Sequence, residues 1–397
     1  MISEFSVPEK IVFGVDAVKR VGTEARRFNT GKKCLIITDP GVGRTDIIEK
    51  VRDPLMTEGF SVEIYDKILT EPTLRSVGET ANYARGMKVD IVVGVGGGSS
   101  LDTAKAVGRA ITNPGDLKKF LPIQEHPQDW SAPSVPVIGI PTTAGTGAEL
   151  TKEAVIIISE EKVKAWFDYC RPRVAIIDPL LSSGMPQRLT ATTGLDALCH
   201  AVESALSRLA FPVTEALSLT SVRLAASNLR RATFQGDNLE ARYNMALATM
   251  IEAFSDANCG LVEGHACGFV TGPFYKISHG VACGVALPYV MEHNLPVSVD
   301  MLATIAEAMG EETLGLSKRE AAYKGILATR RLIQDIGLPT TLKEIEGASR
   351  SDIPQLVTIF MTNPWVKAAA AMVKRVVTKE SITQLFEKQF DGTLGNP

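Results

Sequence analysis

Residues 90–105, DIVVGVGGGSSLDTAK, join an apolar strand to a helix through three consecutive glycines. Ser99 and Ser100 open the helix and Asp102 lies in its first turn. Glycines let a backbone approach a pyrophosphate closely, and the amides and positive dipole end of a helix favour its negative charge. The stretch predicts a nucleotide-phosphate site, although plain strand-to-helix geometry is an alternative explanation of the glycines.

This turn departs from the standard dinucleotide-binding fingerprint. Gly94 and Gly96 are followed by Ser99 where a third glycine would stand, and the turn follows a later strand instead of the first. A second turn, 141-PTTAGTGAE-149, also follows an apolar strand and adds three threonine hydroxyls. Two such turns in one sheet favour a phosphate site over plain geometry.

Asp39 directly follows the apolar run CLIIT, residues 34–38. A carboxylate at the end of a strand in an open α/β sheet can accept hydrogen bonds from ribose hydroxyls and would repel a 2′-phosphate. Asp39 therefore points to NAD over NADP. A helix N-cap or turn aspartate ahead of Pro40 is the structural alternative.

Short apolar or β-branched runs bounded by turn residues recur before Pro186 and predict strands. Helical stretches at 74–87 and 101–112 separate several of them, and strands alternating with helices imply a parallel sheet covered on both faces. The predicted strands are CLIIT (34–38), SVEIY (61–65), DIVVGV (90–95), VPVIGI (135–140), AVIII (154–158) and RVAIID (173–178).

After Pro186 runs of this kind stop. The chain becomes rich in Ala and Leu with helical spacing, as in residues 213–233, 239–257 and 320–337. We therefore expect two domains: an α/β dinucleotide-binding domain with a largely parallel sheet at 1–185, and an all-helical domain at 186–397.

Composition excludes some classes of function. The 397 residues are 45% hydrophobic and 22% charged, with a net charge of −3. Lys and Arg are scattered, so nucleic acid is not an expected partner. The start of the chain lacks the features of a signal peptide, and no apolar window is long enough for a membrane span, so we expect a cytoplasmic protein. The six cysteines form no CxxC pair, which argues against a disulfide framework or a thiolate zinc site.

The stretch 194-GLDALCH-200 places Asp196 and His200 four residues apart on one face of a predicted helix. A core histidine satisfied by its neighbour is one explanation. The chain has only five histidines, and His265 and His279 lie in a second segment, 264–280. Three imidazoles and one carboxylate would make a four-ligand site that suits ferrous iron or zinc. The remaining histidines, His126 and His293, are assigned to structure.

Four motifs, GGGSSLDTAK, PTTAGTGAE, GLDALCHAVE and the segment ending in SHG, occur in this order along the chain. The sequence thereby resembles the iron-containing, group III alcohol dehydrogenase family, from FSVPEKIVFG near the start to TNP at 362–364. The resemblance implies a dehydroquinate synthase-like plan: an NAD(P)-binding α/β domain, a helical domain, and a metal in the cleft between them. It also implies a homodimer or higher homo-oligomer.

The resemblance implies roles for individual residues. Asp196, His200, His265 and His279 would bind the metal, Fe2+ or alternatively Zn2+, and carry the catalysis. The pyrophosphate would be held by Gly97, Gly98 and Ser99, and the rest of the cofactor by Asp39, Asp102, Thr142, Thr143, Thr146 and Lys164.

The implied chemistry is hydride transfer between a small alcohol, or the corresponding carbonyl compound, and NAD. The metal stabilises an alkoxide or polarises a carbonyl, and the protein positions the nicotinamide and excludes water. Phe254, Phe269 and Phe274 are candidates for the wall of the substrate pocket, with core packing as the alternative. Relatives commonly have a histidine where Phe269 stands and an arginine where Trp365 stands, so both positions bear on the substrate.

Four other functions are compatible with parts of the sequence. A maleylacetate-reductase-like or dehydroquinate-synthase-like enzyme would share the two-domain plan, but the former works without a metal and the latter performs a cyclisation. A hydroxyacid–oxoacid transhydrogenase would also share it, and can lack the second histidine of the segment. A noncatalytic nucleotide-binding protein would not need a metal-ligand set.

Overall fold

The structure is a computed structural model that describes residues 4–68, 72–123, 126–158 and 163–395. The chain divides into two compact units, Ser6–Gly184 and a second unit from Met185 onward. Phe5 belongs to the second unit, where its ring packs edge to face with that of Phe211 at a centroid distance of 6.4 Å.

The first unit is built on a parallel sheet of six strands in the order β1-β8-β5-β4-β2-β3, which confirms the predicted α/β class. Its buried core includes Ile36, Val93, Ile138 and Ile176 from four of these strands. In chain order the strands of the unit are β1 (Lys10–Phe13), β2 (Lys33–Ile37), β3 (Ser61–Tyr65), β4 (Ile91–Gly96), β5 (Val137–Pro141), β6 (Ala154–Ile158), β7 (Val163–Phe167) and β8 (Val174–Ile177).

Strand β6, the predicted strand AVIII, pairs antiparallel with β7 in a separate two-stranded sheet and does not join the parallel sheet. Along β6 the side chains alternate between buried and partly exposed, although all five are apolar. A uniformly apolar run is typical of a strand covered on both faces. The sequence therefore indicated a strand without indicating its sheet.

The helices of the first unit connect the strands. They are α1 (Val21–Arg26), α2 (Ile47–Thr57), α3 (Leu74–Met87) and α4 (Gly98–Thr112). Helices α3 and α4 confirm the stretches predicted at 74–87 and 101–112. Helix α4 packs closely on β4, because a Cβ on Gly94 would lie 2.7 Å from the Cβ of Ala104. The absence of a side chain at Gly94 thus lets the first half of α4 lie directly against the strand.

The second unit is helical. Helix α5 carries the stretch GLDALCH and packs against α6, α7 and α9. Helix α9 contains a kink at Ser298, two residues after Pro296. The helices are α5 (Gln187–Leu206), α6 (Pro212–Phe234), α7 (Leu239–Cys259), α8 (Glu263–Tyr275), α9 (His279–Ala308), α10 (Lys318–Asp335), α11 (Ile353–Thr362), α12 (Pro364–Ala369) and α13 (Lys379–Asp391).

All six cysteines lie in the described part of the chain, and all are buried free thiols. Among the described residues, no helix combines the length and the apolar character that crossing a bilayer requires.

Candidate active site

The two glycine-rich turns of the α/β unit follow neighbouring strands. Gly96 at the end of β4 pairs with Pro141 at the end of β5, and the Thr142 amide donates to the Gly96 carbonyl at 3.0 Å. Gly96 has a φ of 144°, which residues with a side chain rarely adopt, so the sharp turn requires glycine there. The turns therefore meet at the carboxyl edge of the sheet, where open α/β sheets bind ligands.

Two further glycines face the threonines of the second turn. A Cβ on Gly97 would lie 3.5 Å from the Thr143 side chain, and a Cβ on Gly98 would lie 3.0 Å from that of Thr146. Gly97 is the N-cap of α4 and Gly98 and Ser99 are its first two residues. Since a glycine N-cap has no side chain to satisfy the first helical amides, these amides can serve a phosphate.

Asp39 lies next to the first turn and also holds its own turn. Its Oδ1 accepts hydrogen bonds from the amides of Gly41 at 2.8 Å and Val42 at 3.1 Å. Its Oδ2 accepts a long hydrogen bond from the Ser100 hydroxyl at 3.4 Å. The structural alternative of a turn aspartate is therefore correct for Oδ1, while Oδ2 faces the phosphate turn.

Asp102 and Lys164 occupy different surroundings. Asp102 Oδ1 accepts a hydrogen bond from the buried Lys105 ammonium at 2.8 Å, and Lys105 also donates to Thr151 at 3.2 Å. Burial raises the pKa of Asp102, and the Lys105 charge opposes this effect. Lys164 lies on β7 of the hairpin, opposite Ile157. The geometry thus gives Asp102 a partner within its own helix, and a cofactor contact of Lys164 stays a prediction.

In the helical unit, side chains from three helices converge. Asp196 is on α5, His265 on α8, and His279 and Cys283 begin α9. One ligand atom from each of these four residues lies within 4.8 Å of the ligand atoms of the others. The Nε2 atom of His265 is 3.8 Å from Asp196 Oδ1. Asp196 and His265 are only 4% exposed, Cys283 is also buried, and His279 is partly exposed.

His200 lies beside this cluster, with its ring centroid 4.2 Å from that of His265. The Nδ1 atom of His200 is 2.9 Å from the backbone carbonyl of Asp196. A carbonyl can only accept, so Nδ1 carries the proton and Nε2 keeps its lone pair. His265 Nδ1 is 2.8 Å from Glu203 Oε1, an arrangement that likewise presents Nε2 to the cluster. The carbonyl therefore fixes the tautomer of His200 that a metal ligand needs, and an ionised Glu203 would fix the same tautomer in His265.

A buried atom of Asp196 supports the cation site. Among the described residues, Asp196 Oδ1 accepts no hydrogen bond although it is fully buried. Leaving a buried polar group without a partner costs about 1–3 kcal/mol, more for a charged one, unless a ligand supplies the missing interaction. Imidazole nitrogens and a carboxylate oxygen fit zinc or iron.

Two further carboxyl groups, Glu203 and Glu263, are buried in the helical unit, and Glu203 contacts His265. Burial raises the pKa of Glu203 to about 8, although backbone hydrogen bonds and His200 partly oppose it. Burial also raises the pKa of Glu263 to about 8. Nearby positive charge would favour the ionised form of both groups.

Cys283 is a cluster residue that the sequence analysis did not select. Its Sγ lies 3.6 Å from Nδ1 and 3.7 Å from Nε2 of His279, four residues earlier on α9. The same i, i+4 spacing that singled out Asp196 and His200 would have found it, had the search included thiols.

The predicted pocket phenylalanines have different neighbours. The Phe269 ring centroid is 5.6 Å from that of His279, so Phe269 borders the cluster. The Phe274 ring instead packs edge to face on Tyr275 at 4.9 Å. Phe254 lies half-buried on α7, and its role in a pocket stays a prediction. Trp365 is 2% exposed at the start of α12, which packs against α8.

A glycine-rich turn at the carboxyl edge of an α/β sheet and a carboxylate–imidazole cluster in a helical unit are the features expected of a metal-dependent dehydrogenase. Residues 8–179 match the family described as iron-containing alcohol dehydrogenase, and residues 190–390 match the C-terminal family of Fe-containing alcohol dehydrogenases. The chain belongs to the iron-containing alcohol dehydrogenase family.

Individual relatives support membership of this family. The chain is 40% identical over 361 residues to the 1,3-propanediol dehydrogenase of Klebsiella pneumoniae, covering 89% of this chain and 91% of the relative. It is 35% identical over 390 residues to the NAD-dependent methanol dehydrogenase of Bacillus methanolicus, covering 97% and 99%. A crystal structure of a 1,3-propanediol oxidoreductase superposes with a TM-score of 0.92 at 36% identity, covering 98% of this chain and all of that one.

The chain is thus an oxidoreductase that interconverts alcohols with aldehydes or ketones. Iron is the metal of its family, and NAD-dependent enzymes are among its relatives. The predicted family, reaction and cofactor class are confirmed.

Proposed function

We propose that this chain is an NAD-dependent dehydrogenase of a short-chain alcohol, with its metal bound by Asp196, His200, His265 and His279. The observation that carries the proposal is the convergence of Asp196, His265 and His279 around a buried carboxylate oxygen without a hydrogen-bond donor in the described structure. His200 joins the set because its Nδ1 is occupied by a carbonyl, which leaves Nε2 for the metal.

For the cofactor, we propose that the α/β unit binds NAD. The turn amides at the start of α4 would bind the pyrophosphate, with Thr142, Thr143 and Thr146 beside them. Oδ2 of Asp39, next to Ser100, would accept from the adenosine ribose. Contacts of Asp102 and Lys164 with the rest of the cofactor remain part of this proposal.

The metal, when bound, supplies a Lewis acid that stabilises negative charge on the substrate oxygen. The chain holds the ligand side chains in place: the Asp196 carbonyl orients the His200 ring, and Glu203 orients the His265 ring. Phe269 presents an apolar ring next to His279 and excludes water from that side. A hydroxyl buried against this ring would lose about 1–3 kcal/mol without a partner.

The substrate class follows from the apolar ring of Phe269 beside the metal site. Relatives include a 1,3-propanediol dehydrogenase and a methanol dehydrogenase, and Phe269 favours a short alcohol with one hydroxyl over a diol. Oxidation of methanol, 1-propanol and 1,3-propanediol with NAD should therefore rank 1-propanol above the diol. Accumulation of free NADH distinguishes a dehydrogenase from a transhydrogenase, which passes hydride on without releasing the cofactor.

The decisive test is His265→Ala, with His126→Ala as the control. His126 is exposed in a loop, so its variant should keep metal and activity. His265→Ala should lose most of the bound metal, measured by elemental analysis, and nearly all turnover. Stoichiometric metal in purified His265→Ala would refute the site.

Two expectations from the sequence also stay proposals. We propose a cytoplasmic homo-oligomer, a homodimer or larger. Light scattering of the purified protein measures the assembly, and fractionation of the source cells tests the location.

A further inference from the structure

Glu203 connects two parts of the helical unit that are far apart in sequence. It lies on α5, is completely buried, and reaches the beginning of α8. Its Oε1 is 2.8 Å from the ring Nδ1 of His265, and its Oε2 accepts a hydrogen bond from the backbone amide of the same residue at 3.1 Å. One carboxylate therefore binds both the side chain and the main chain of a proposed metal ligand.

The beginning of α8 depends on this carboxylate. The N-cap residue is Val262, which has no side-chain oxygen to accept from the first helical amides, and His265 is the third residue of the helix. Glu203 supplies the acceptor that an N-cap Ser, Thr or Asp would otherwise provide. The His265 backbone is thereby held by the same group that holds its ring.

Gly264 makes room for this contact. A Cβ at position 264 would lie 2.4 Å from Glu203 Oε1 and 2.7 Å from its carboxyl carbon, and the carboxylate would have to move away. The glycine preceding the ligand is therefore explained by the position of the Glu203 carboxylate.

We propose that Glu203 is a positioning residue for His265: it holds the ring in the tautomer and orientation that aim Nε2 at the metal site. The inference rests on the proposed metal-binding function. With Glu203 ionised, as a bound cation would favour, donation of the Nδ1 proton to Oε1 leaves the lone pair on Nε2, which lies 3.8 Å from Asp196 Oδ1. Groups that orient metal-bound histidines typically change metal affinity about 10–100-fold when they are replaced.

The test uses Glu203→Gln in the full chain, stripped of metal and titrated with Co2+. Glutamine has one acceptor oxygen where glutamate has two, so either the His265 amide or its ring loses its partner. An amide NH2 facing Nδ1 would also favour the tautomer with the proton on Nε2, which cannot bind a metal. We expect Co2+ affinity to fall about 10–100-fold and the visible spectrum of the bound ion to change.

Glu263→Gln is the matched control. Glu263 is as buried as Glu203 and is the first residue of α8, but it accepts from Asn294 at 2.6 Å instead of binding a proposed ligand. This variant should keep the parental Co2+ affinity and spectrum. Thermal unfolding of the metal-free proteins measures the folding effect of each substitution separately.

If Glu203→Gln fails to fold, Gly264→Ala carries the test, because it displaces the carboxylate without removing it and should lower Co2+ affinity in the same direction. Parental Co2+ affinity and spectrum in a folded Glu203→Gln or Gly264→Ala variant would overturn the inference. Loss of metal in His265→Ala together with parental affinity in Glu203→Gln would refute only the role of Glu203. Stoichiometric metal in His265→Ala would refute the metal site itself.

Discussion

Replacing Asp39 with asparagine should shift the cofactor preference from NAD toward NADP while leaving the fold intact. In the structure, Oδ1 of Asp39 accepts from the amides of Gly41 and Val42, and these two hydrogen bonds hold the turn after β2. Asparagine keeps an oxygen in that place, so the turn should survive. The substitution removes the charge of the carboxylate and places an amide NH2 where Oδ2 stands.

The expected magnitude follows from the role proposed for Oδ2. A hydrogen bond from the adenosine ribose to a charged acceptor contributes about 1.5–3 kcal/mol, which corresponds to roughly tenfold or more in NAD affinity. Repulsion of the 2′-phosphate of NADP disappears with the charge. Both effects change the ratio of the two affinities in the same direction, so the NAD/NADP ratio of kcat/KM should fall at least about tenfold.

The assay is kcat/KM for each cofactor at saturating alcohol, together with fluorescence titration of NADH and NADPH. Asp39→Gly is the companion variant. It removes the charge and both turn hydrogen bonds, so it should show the same change in preference with an added loss of stability. An unchanged NAD/NADP ratio of kcat/KM in a stable Asp39→Asn protein would mean that Asp39 holds the turn and does not contact the cofactor.

Three further predictions concern pH, the substrate wall and the ligand set. Burial raises the pKa of Glu149 to about 7, so the stabilising contribution of this carboxyl is complete below about pH 4.5 and is lost as the pH rises through 7. The free energy of unfolding in urea should therefore increasingly favour Glu149→Gln over the parent, by about 2–3 kcal/mol between pH 5 and pH 8. A difference between the two proteins that does not change with pH would contradict this. Phe269→His should add an ionisation in the neutral range to the pH profile of kcat/KM and improve relative activity on diols, whereas superimposable profiles would place Phe269 outside the active site. His200→Ala should lose metal while Cys283→Ser retains it in the same elemental analysis, and the reverse result would put the sulfur in place of His200.

Much of the fold followed from local pattern because each segment agrees with its neighbours. The stretch 74–87 has helical spacing and is capped by Thr73, whose side chain accepts from the Ser76 amide, so its predicted and observed limits coincide. The strand at β7 was missed: its sequence, VKAWF, carries Lys164 within five residues and lacks a clear apolar run. Pairing with β6 makes it a strand, and such a tertiary contact has no local sequence signal.

The candidate site was predictable in its residue types and less so in its contacts. The proposed ligands lie on three helices, and His265 and His279 could be selected because histidine is rare in this chain. Glu203 is 62 residues from His265, and nothing in the spacing of a helical stretch indicates which distant side chain will meet it. Asp102 was expected at the cofactor because of the family resemblance, but its position three residues before Lys105 also places the two on one helix face.

The spacing of Asp196 and His200 predicted that the two side chains share a helix face. Both a metal site and a core histidine that is hydrogen-bonded to its neighbour would explain this spacing. A core histidine satisfied by its neighbour would hydrogen-bond to the aspartate carboxylate. In the structure, the His200 ring nitrogen instead donates to the backbone carbonyl of Asp196. This bond satisfies Nδ1 without using the carboxylate, so Oδ1 of Asp196 and Nε2 of His200 both remain available to a third partner. Since a buried carboxylate oxygen without a donor is costly, the choice of hydrogen-bond atom favours the metal site over the core explanation.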